Sequence, residues 1–298
     1  MPELRSGWAQ GEGGLRLHYQ AAGPDAGRLV LFLHGFPEFW YCWRRQLEHF
    51  GVDHLAVAPD LRGYNLSDRP ADPRLYRMKT LIEDIRLLAA SFTQDRFVLV
   101  AHDWGGAAAW SFALAHPELL SHLVVLNAPH PYAFWRELAH NAAQQQASDY
   151  FLLFRDAKAE RVLSENGHAR LAAMRFGGLG GQASTADAAQ RAAYLAAWSQ
   201  PGALTGSLNW YRATPLYPPA SGDAGAAKLR LEAQDYVVRV PTLVIWGERD
   251  TALLPCLLDG MDALVPDLRV VRVPEASHWI LDEAPELVNR EIRRFIAA

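Results

Sequence analysis

Residues 101–105 read Ala101-His102-Asp103-Trp104-Gly105, directly after the apolar run Phe97-Val98-Leu99-Val100. A buried strand that turns at once into a helix crowds its own backbone, so the residues two before and two after the presented side chain must be small. No other segment constrains the chain as strongly. It demands a strand, a sharp elbow and a helix, with the central side chain held out at the strand's C-terminal end. Here that side chain is an aspartate. A carboxylate oxygen is a weak nucleophile suited to strained or activated alkyl carbons, and water must then hydrolyse the ester it forms. The elbow therefore points to hydrolysis of a bond to alkyl carbon. It points away from a serine esterase, since Ser111 and Ser121 lie outside the turn.

Apolar runs with turn signals recur at Leu15–Gln20, Leu29–Leu33, His54–Ala58, Phe97–Ala101, Leu123–Leu126, Thr242–Trp246 and Arg269–Val273. From Leu29 onward they are mostly continuous, as expected for parallel strands covered on both faces. Between them, Leu81-Ile82, Ile85 and Leu88-Ala89 share one helical face, and Glu286–Ile296 reads as a closing helix. The alternation predicts an α/β fold with a doubly wound, mostly parallel sheet. It stops near Asn127-Ala128-Pro129 and resumes at Val240-Pro241. In between, helices are predicted over Ala139–Phe154 and Asp187–Trp198. Thr214–Ala227, with Pro215, Pro218, Pro219 and Gly222, reads as an extended connection. The expected organisation is a core of residues 1–128 and 239–298 with a helical cap of residues 129–238. The cap would lie over the sheet's C-terminal edge, where ligands bind in open α/β sheets.

A chain of 298 residues can bury roughly 75% of its unfolded surface and needs no staples. Its formal net charge of −4 and the lack of a basic cluster argue against a nucleic-acid partner. The N-terminus lacks the apolar stretch of a signal peptide. No window approaches the roughly 18 apolar residues of a membrane span, so a cytoplasmic location without a membrane partner is expected. Cys42 and Cys256 show no Cys-x-x-Cys spacing and join no His/Cys cluster, so two free thiols and no metal are expected. Gly177-Gly178-Leu179-Gly180-Gly181 follows no strand and precedes no Lys-Ser/Thr, so it reads as a loop and not as a phosphate cradle. No cofactor is implied, and the oligomeric state is left open, a homodimer included.

A nucleophile, an acid and a histidine follow one another in the chain. Asp103 is the first, and Asp250 lies in Trp246-Gly247-Glu248-Arg249-Asp250, just past one predicted strand. His278 lies in Glu275-Ala276-Ser277-His278-Trp279, past the next. Each sits at a strand's C-terminal end, as a convergent site requires. A lone Asp after a strand more often caps a helix, and a lone His more often packs. It is the joint placement with the elbow that makes these three a catalytic set. Glu248 is the rival for the acid, whereas Asn127 is not ionisable and His102 is expected to point away as buried packing. After Leu29–Leu33 comes His34-Gly35-Phe36-Pro37-Glu38. A backbone N–H from such a loop, paired with the one just after the nucleophile, forms an oxyanion hole, which assigns the donors to Phe36 and Trp104.

The segments His34-Gly35-Phe36-Pro37-Glu38-x-Trp40-Tyr41-x-Trp43-Arg44-x-Gln46 and His102-Asp103-Trp104-Gly105-Gly106 resemble the α/β-hydrolase fold epoxide hydrolases. Asp60-Leu61-Arg62-Gly63-Tyr64-Asn65-Leu66-Ser67-Asp68 is similar to a segment shared by bacterial members. The resemblance covers essentially the whole chain. It implies two cap tyrosines that grip the epoxide oxygen. Ser207-Leu208-Asn209-Trp210-Tyr211-Arg212 matches the second such segment and gives Tyr211. Asp149-Tyr150-Phe151-Leu152-Leu153-Phe154 looks like the first, more loosely, and gives Tyr150. Tyr132, Tyr194 and Tyr217 are weaker candidates. The expected reaction converts a small apolar epoxide and water to a vicinal diol through an alkyl ester on Asp103. A haloalkane or haloacetate dehalogenase would use the same three residues, and Trp104 keeps that alternative open. Against it, haloalkane dehalogenases usually carry Asn where this chain has Phe36. Haloacetate dehalogenases place arginines beside the nucleophile, where this chain has Trp104 and Ala107. A non-catalytic ligand-binding member of the fold is a further alternative, disfavoured by the intact triad.

Overall fold

The computed structural model describes residues 2–177 and 186–297. Its centre is an eight-stranded sheet in the order β1-β2-β4-β3-β5-β6-β7-β8. The strands are β1 (Arg5–Gln10), β2 (Arg16–Ala22), β3 (Leu29–Leu33), β4 (Leu55–Pro59), β5 (Phe97–His102), β6 (Leu120–Leu126), β7 (Thr242–Gly247) and β8 (Leu268–Val273). β1 pairs antiparallel with β2 and β2 antiparallel with β4, and the remaining pairs are parallel. Successive side chains of a strand point to opposite faces. Leu31, Leu33, Leu99, Ala101 and Val125 therefore enter one apolar layer, while Val30, Phe32, Val98, Val100 and Val124 enter the other. Both faces are buried, which is why these strands read as unbroken apolar runs.

Helices cover the two faces and form a separate stretch between β6 and β7. They are α1 (Arg44–Phe50), α2 (Met78–Ala90), α3 (Asp103–Ala115), α4 (Pro131–His140), α5 (Ala142–Ala147), α6 (Tyr150–Arg155), α7 (Ala159–Phe176), α8 (Ala188–Trp198), α9 (Ala203–Ala213), α10 (Met261–Leu264), α11 (Ile280–Glu283) and α12 (Pro285–Ile296). Within α7 the backbone leaves helical geometry at Glu165–His168. Among the described residues no helix is long and apolar enough to cross a membrane.

Three local expectations needed revision. β1 went unpredicted because it is a solvated edge strand whose side chains are mostly exposed, Trp8 at 50% among them, so its sequence carries no apolar run. The single helix expected over Ala139–Phe154 is broken. Asn141 adopts an extended backbone and its side chain accepts from the Ala143 N–H, capping a new helix there, and α6 starts afresh at Tyr150. β6 begins at Leu120, three residues earlier than its apolar core suggested. In the glycine-rich segment Gly177 closes α7, and Gly178–Gly181 lie outside the described residues.

Because β3 lies between β4 and β5, the loops leaving β3 and β5 diverge at the sheet's C-terminal edge. That is the crevice where open α/β sheets bind ligands. The segments 34–38 and 102–105 face each other across it.

Candidate active site

Asp103 is the first residue of α3 and has a φ of +50°, a left-handed conformation that an L residue with a side chain rarely adopts. The strain follows from reversing direction within one residue, and the small neighbours permit it. A side chain on Gly105 would strike the carbonyls of Leu33 and His34, and one on Gly35 would strike the Asp103 carboxylate itself. The close approach at Gly35 brings the next backbone N–H, that of Phe36, to 2.7 Å from Asp103 Oδ1, where it donates. The Trp104 N–H belongs to the first turn of α3, whose amides have no partner within the helix.

His278 follows β8. Its Nε2 stands 3.7 Å from Asp103 Oδ2, and its Nδ1 donates to Asp250 Oδ2 at 2.7 Å. Asp250 is 2% exposed and fully engaged. Its Oδ1 accepts from the Ala252 and Leu253 amides at 2.9 Å, and its Oδ2 also accepts from Asn127 Nδ2 at 2.9 Å. Burial pushes the Asp250 carboxyl up, but His278 and these hydrogen bonds outweigh it and hold it below its ordinary value. For His278, burial works against the charged form. Asp250, Asp103 and Glu38 overcome that and push it up to about 9. While Asp103 is anionic, His278 is therefore protonated at neutral pH.

Tyr150 opens α6 and Tyr211 lies in α9, their rings 6.1 Å apart. Both line a cavity of about 120 Å³ together with Asp103, Phe36, His278, Phe154, Met174 and Trp279. Burial and the nearby Asp103 raise both phenols well above their ordinary value, Tyr150 adding to the effect on Tyr211, so each keeps its proton. A second cavity, of about 290 Å³, meets the first at Asp103 and Tyr150. It is walled by Trp104, Ala107, Leu114, Phe134, Phe151 and Leu216 among others. The three weaker tyrosines are engaged elsewhere. Tyr132 packs with tilted rings against Trp135 and Tyr236, and the hydroxyls of Tyr194 and Tyr217 donate to Glu38 and Asp223. The rival acid Glu248 pairs with Arg272 at 2.9 Å, away from His278.

Two residues were undervalued by sequence reasoning. Asn127 cannot be the acid, yet it orients one. Held at a φ of +37°, it accepts from the Gly247 N–H at 2.8 Å and donates to Asp250. Its place at the end of β6 was the available signal. His102 is buried as expected, but it is not mere packing. Its Nδ1 lies 3.1 Å from Glu38 Oε2, and its Nε2 lies 2.9 Å from the backbone oxygen of His278. Among the described residues no group of three or more His, Cys, Asp or Glu side chains is arranged to hold a metal ion.

Comparison with known proteins adds lineage to this geometry. A family model described as the alpha/beta hydrolase fold matches residues 28–285. AB hydrolase superfamily protein YfhM of Bacillus subtilis (strain 168) is 37% identical over 95% of this chain and 95% of its own length. Epoxide hydrolase 3 of Xenopus tropicalis is 37% identical over 96% of this chain and 76% of its own. Among solved structures, a mutant epoxide hydrolase from Bacillus megaterium, complexed with its naphthyloxy-propane-1,2-diol product, superposes with a TM-score of 0.85. It is 33% identical and covers 98% of this chain and 100% of that one.

Proposed function

The chain belongs to the α/β-hydrolase fold family and within it to the epoxide hydrolases, and we propose that it hydrolyses an apolar epoxide to a vicinal diol through an ester on Asp103. The observation that carries this reading is the shared cavity, in which a carboxylate on a strained elbow faces two protonated tyrosines with a histidine–aspartate pair behind it. Residues 129–238 act as the cap that brings the tyrosines.

In the first half-reaction an Asp103 carboxylate oxygen attacks one epoxide carbon. The C–O bond of the ring breaks as the C–O bond of the ester forms, and the departing alkoxide takes a proton from Tyr150 or Tyr211. An alkoxide is a far stronger base than phenolate, so a phenol held protonated is a competent donor. Positioned acid catalysis of this kind contributes roughly 10²–10⁴ in rate. Alkylation also removes the negative charge beside His278, one of the causes that keep it protonated. His278 then gives up that proton to solvent and becomes a base. Oriented by Asp250, it takes a proton from water, and the hydroxide adds to the Asp103 carboxyl carbon. The resulting oxyanion rests on the Phe36 and Trp104 N–H groups. Collapse expels the diol oxygen, which takes the proton from His278; the Asp103 carboxylic acid left behind gives its proton to His278, which restores the resting pair, and the tyrosine regains its own from solvent.

Cavity size limits the substrate. About 150 Å³ of apolar space holds one benzene ring. The cavity of about 290 Å³ therefore has room for two fused rings and that of about 120 Å³ for less than one. The reading is of an epoxide with one extended apolar arm and one small substituent. The deciding experiment incubates the purified protein with styrene oxide, 1-chlorobutane and chloroacetate, and scores diol against released halide. Diol from styrene oxide is expected. Halide release without diol would move the assignment to a dehalogenase.

A further inference from the structure

Behind the catalytic loops, a charge supplied by the helical stretch between β6 and β7 is buried between two carboxylates of the sheet domain. Arg175, in the last turn of α7, is 1% exposed. Its Nε lies 3.1 Å from Glu38 Oε1, and its Nη2 donates to Asp282 Oδ2 at 2.5 Å. Its guanidinium also lies over the ring of Trp279, 4.6 Å from the centroid, next to His278. Glu38 ends the loop that carries the Phe36 amide, and Asp282 lies in α11 just after His278. One cation therefore ties the loop after β3 to the helix that follows His278.

The partners of His102 fix where protons must be. A carbonyl oxygen can only accept, so Nε2, facing the His278 carbonyl, must carry hydrogen. Nδ1 faces a carboxylate oxygen of Glu38, so a second proton has to lie between them. Whether it sits on nitrogen or on oxygen depends on whether Glu38 can stay ionised in a buried place. Burial pushes the Glu38 carboxyl up. Arg175 first, and then His102 and His34, hold it down at about 2. Besides Arg175, the nearest groups able to carry positive charge are histidines: His102 and His34 act on Glu38, and the His278 ring lies 4.7 Å from that of His102. The Tyr194 hydroxyl donates to Oε1, Cys42 is a buried thiol, and Arg44 reaches Asp282 at 3.9 Å.

We propose that Arg175 is a positioning residue for the water-activation step. It keeps Glu38 ionised so that His102 carries both ring protons and clamps the His278 carbonyl, which fixes the His278 ring against Asp103. The consequence is that the helical stretch contributes a charge to the hydrolytic half-reaction as well as tyrosines to the first. This inference rests on the epoxide hydrolase reading for its kinetic readout and on no activity for its spectroscopic one.

The experiment compares wild type with Arg175→Lys, Arg175→Met, Glu38→Gln and the double variant Glu38→Gln/Arg175→Met. In Arg175→Met, kcat for styrene oxide is expected to fall at least about tenfold with KM within about twofold. The acid limb of its kcat profile should move to higher pH, because an unpaired Glu38 takes up a proton sooner. Arg175→Lys should restore most of both. The double variant should be no slower than Glu38→Gln alone, since the arginine acts through that carboxylate. Histidine-selective ¹⁵N spectra of the wild type should show His102 with two protonated nitrogens at neutral pH. An unprotonated Nδ1 in the wild type would overturn the proposal. So would losses that simply add in the double variant, or an unmoved acid limb in Arg175→Met. If Arg175→Met does not fold, the spectra and the comparison of Glu38→Gln with the double variant still decide. Wild type without epoxide turnover would refute the function while leaving the spectroscopic test standing.

Discussion

The proposed mechanism requires His278 to change from acid to base when Asp103 is esterified, and Asp103→Asn isolates that change. The amide is nearly isosteric with the carboxylate and, like the ester, carries no charge. In the wild type His278 titrates at about 9 against an ordinary 6.5. At 1.36 kcal/mol per pH unit, this corresponds to about 3 kcal/mol of preference for the charged form. Asp250 is the largest cause of the rise and Asp103 follows it. A unit charge 3.7 Å away in a medium of effective dielectric near 20 is worth about 4.5 kcal/mol. Burial opposes the charged form, so the rise rests on Asp250 first and on Asp103 after it. Asp103→Asn should therefore lower the His278 midpoint by at least about one pH unit, read by ¹⁵N-edited titration of the imidazole. The sign carries over to stability. Because the folded pKa is raised, His278 stabilises the fold fully below about pH 6.5, and that stabilisation is lost as pH rises through about 9. The difference in unfolding free energy between wild type and Asp103→Asn should thus shrink across that window. A His278 midpoint unchanged by Asp103→Asn would refute the charge-release argument, because the base would then have to arise in some other way.

Other perturbations separate the steps. His278→Gln incubated with an epoxide should accumulate an ester, visible as the substrate's mass added to the intact protein; a stably folded variant without the adduct on Asp103 would count against covalent catalysis. Changing both Tyr150 and Tyr211 to Phe should lower diol formation by at least about 10²-fold, and near-normal turnover would show that other groups protonate the oxygen. Gly35→Ala should abolish alkylation and lower the thermal unfolding midpoint, because its new methyl would strike Asp103 Oδ1 and Asp103 Cβ, at an elbow with no room to shift. A bulky side chain in place of Ala107 should exclude aryl glycidyl ethers, because Ala107 lines the larger cavity. Propylene oxide should remain a substrate, and equal loss on both would mean that the larger cavity does not hold the substrate's arm.

The elbow at Asp103 was legible because steric exclusion is local: small residues at fixed offsets record a backbone that has no room. Asp250 and His278 were legible for a related reason, since strand ends converge on one edge of a parallel sheet and the strands announce themselves as apolar runs. Tyr150 and Tyr211 came from resemblance, and the shared cavity is where their rings are found. What stayed hidden has no local signature. β1 is an edge strand with polar side chains on show, so its pairing with β2 leaves no pattern in its own sequence. Asn127 looks like any residue after a strand until Asp250 is seen to need a donor. The Glu38–Arg175 contact joins the loop after β3 to the end of α7, and neither residue has a neighbour in sequence that predicts the other. Buried charges far apart in the chain are set by the tertiary fold.

An aspartate elbow alone does not choose between carbon–halogen and carbon–oxygen cleavage, because both begin with the same displacement. The difference lies in the leaving group. Halide departs as a stable anion and asks only for N–H donors to solvate it. An epoxide oxygen departs as an alkoxide still tethered to the product, and it needs a proton. Phe36 offers its backbone amide to Asp103 Oδ1 and its ring to Phe154 and Tyr211, leaving no side-chain donor where an Asn would supply one. The groups that do face Asp103 across the smaller cavity are hydroxyls, and burial keeps both of them protonated. A site that sets two phenol donors opposite Asp103, beside Trp104, is matched to the more basic leaving group. The same burial that makes these phenols poor acids toward water keeps them loaded until an alkoxide forms within reach.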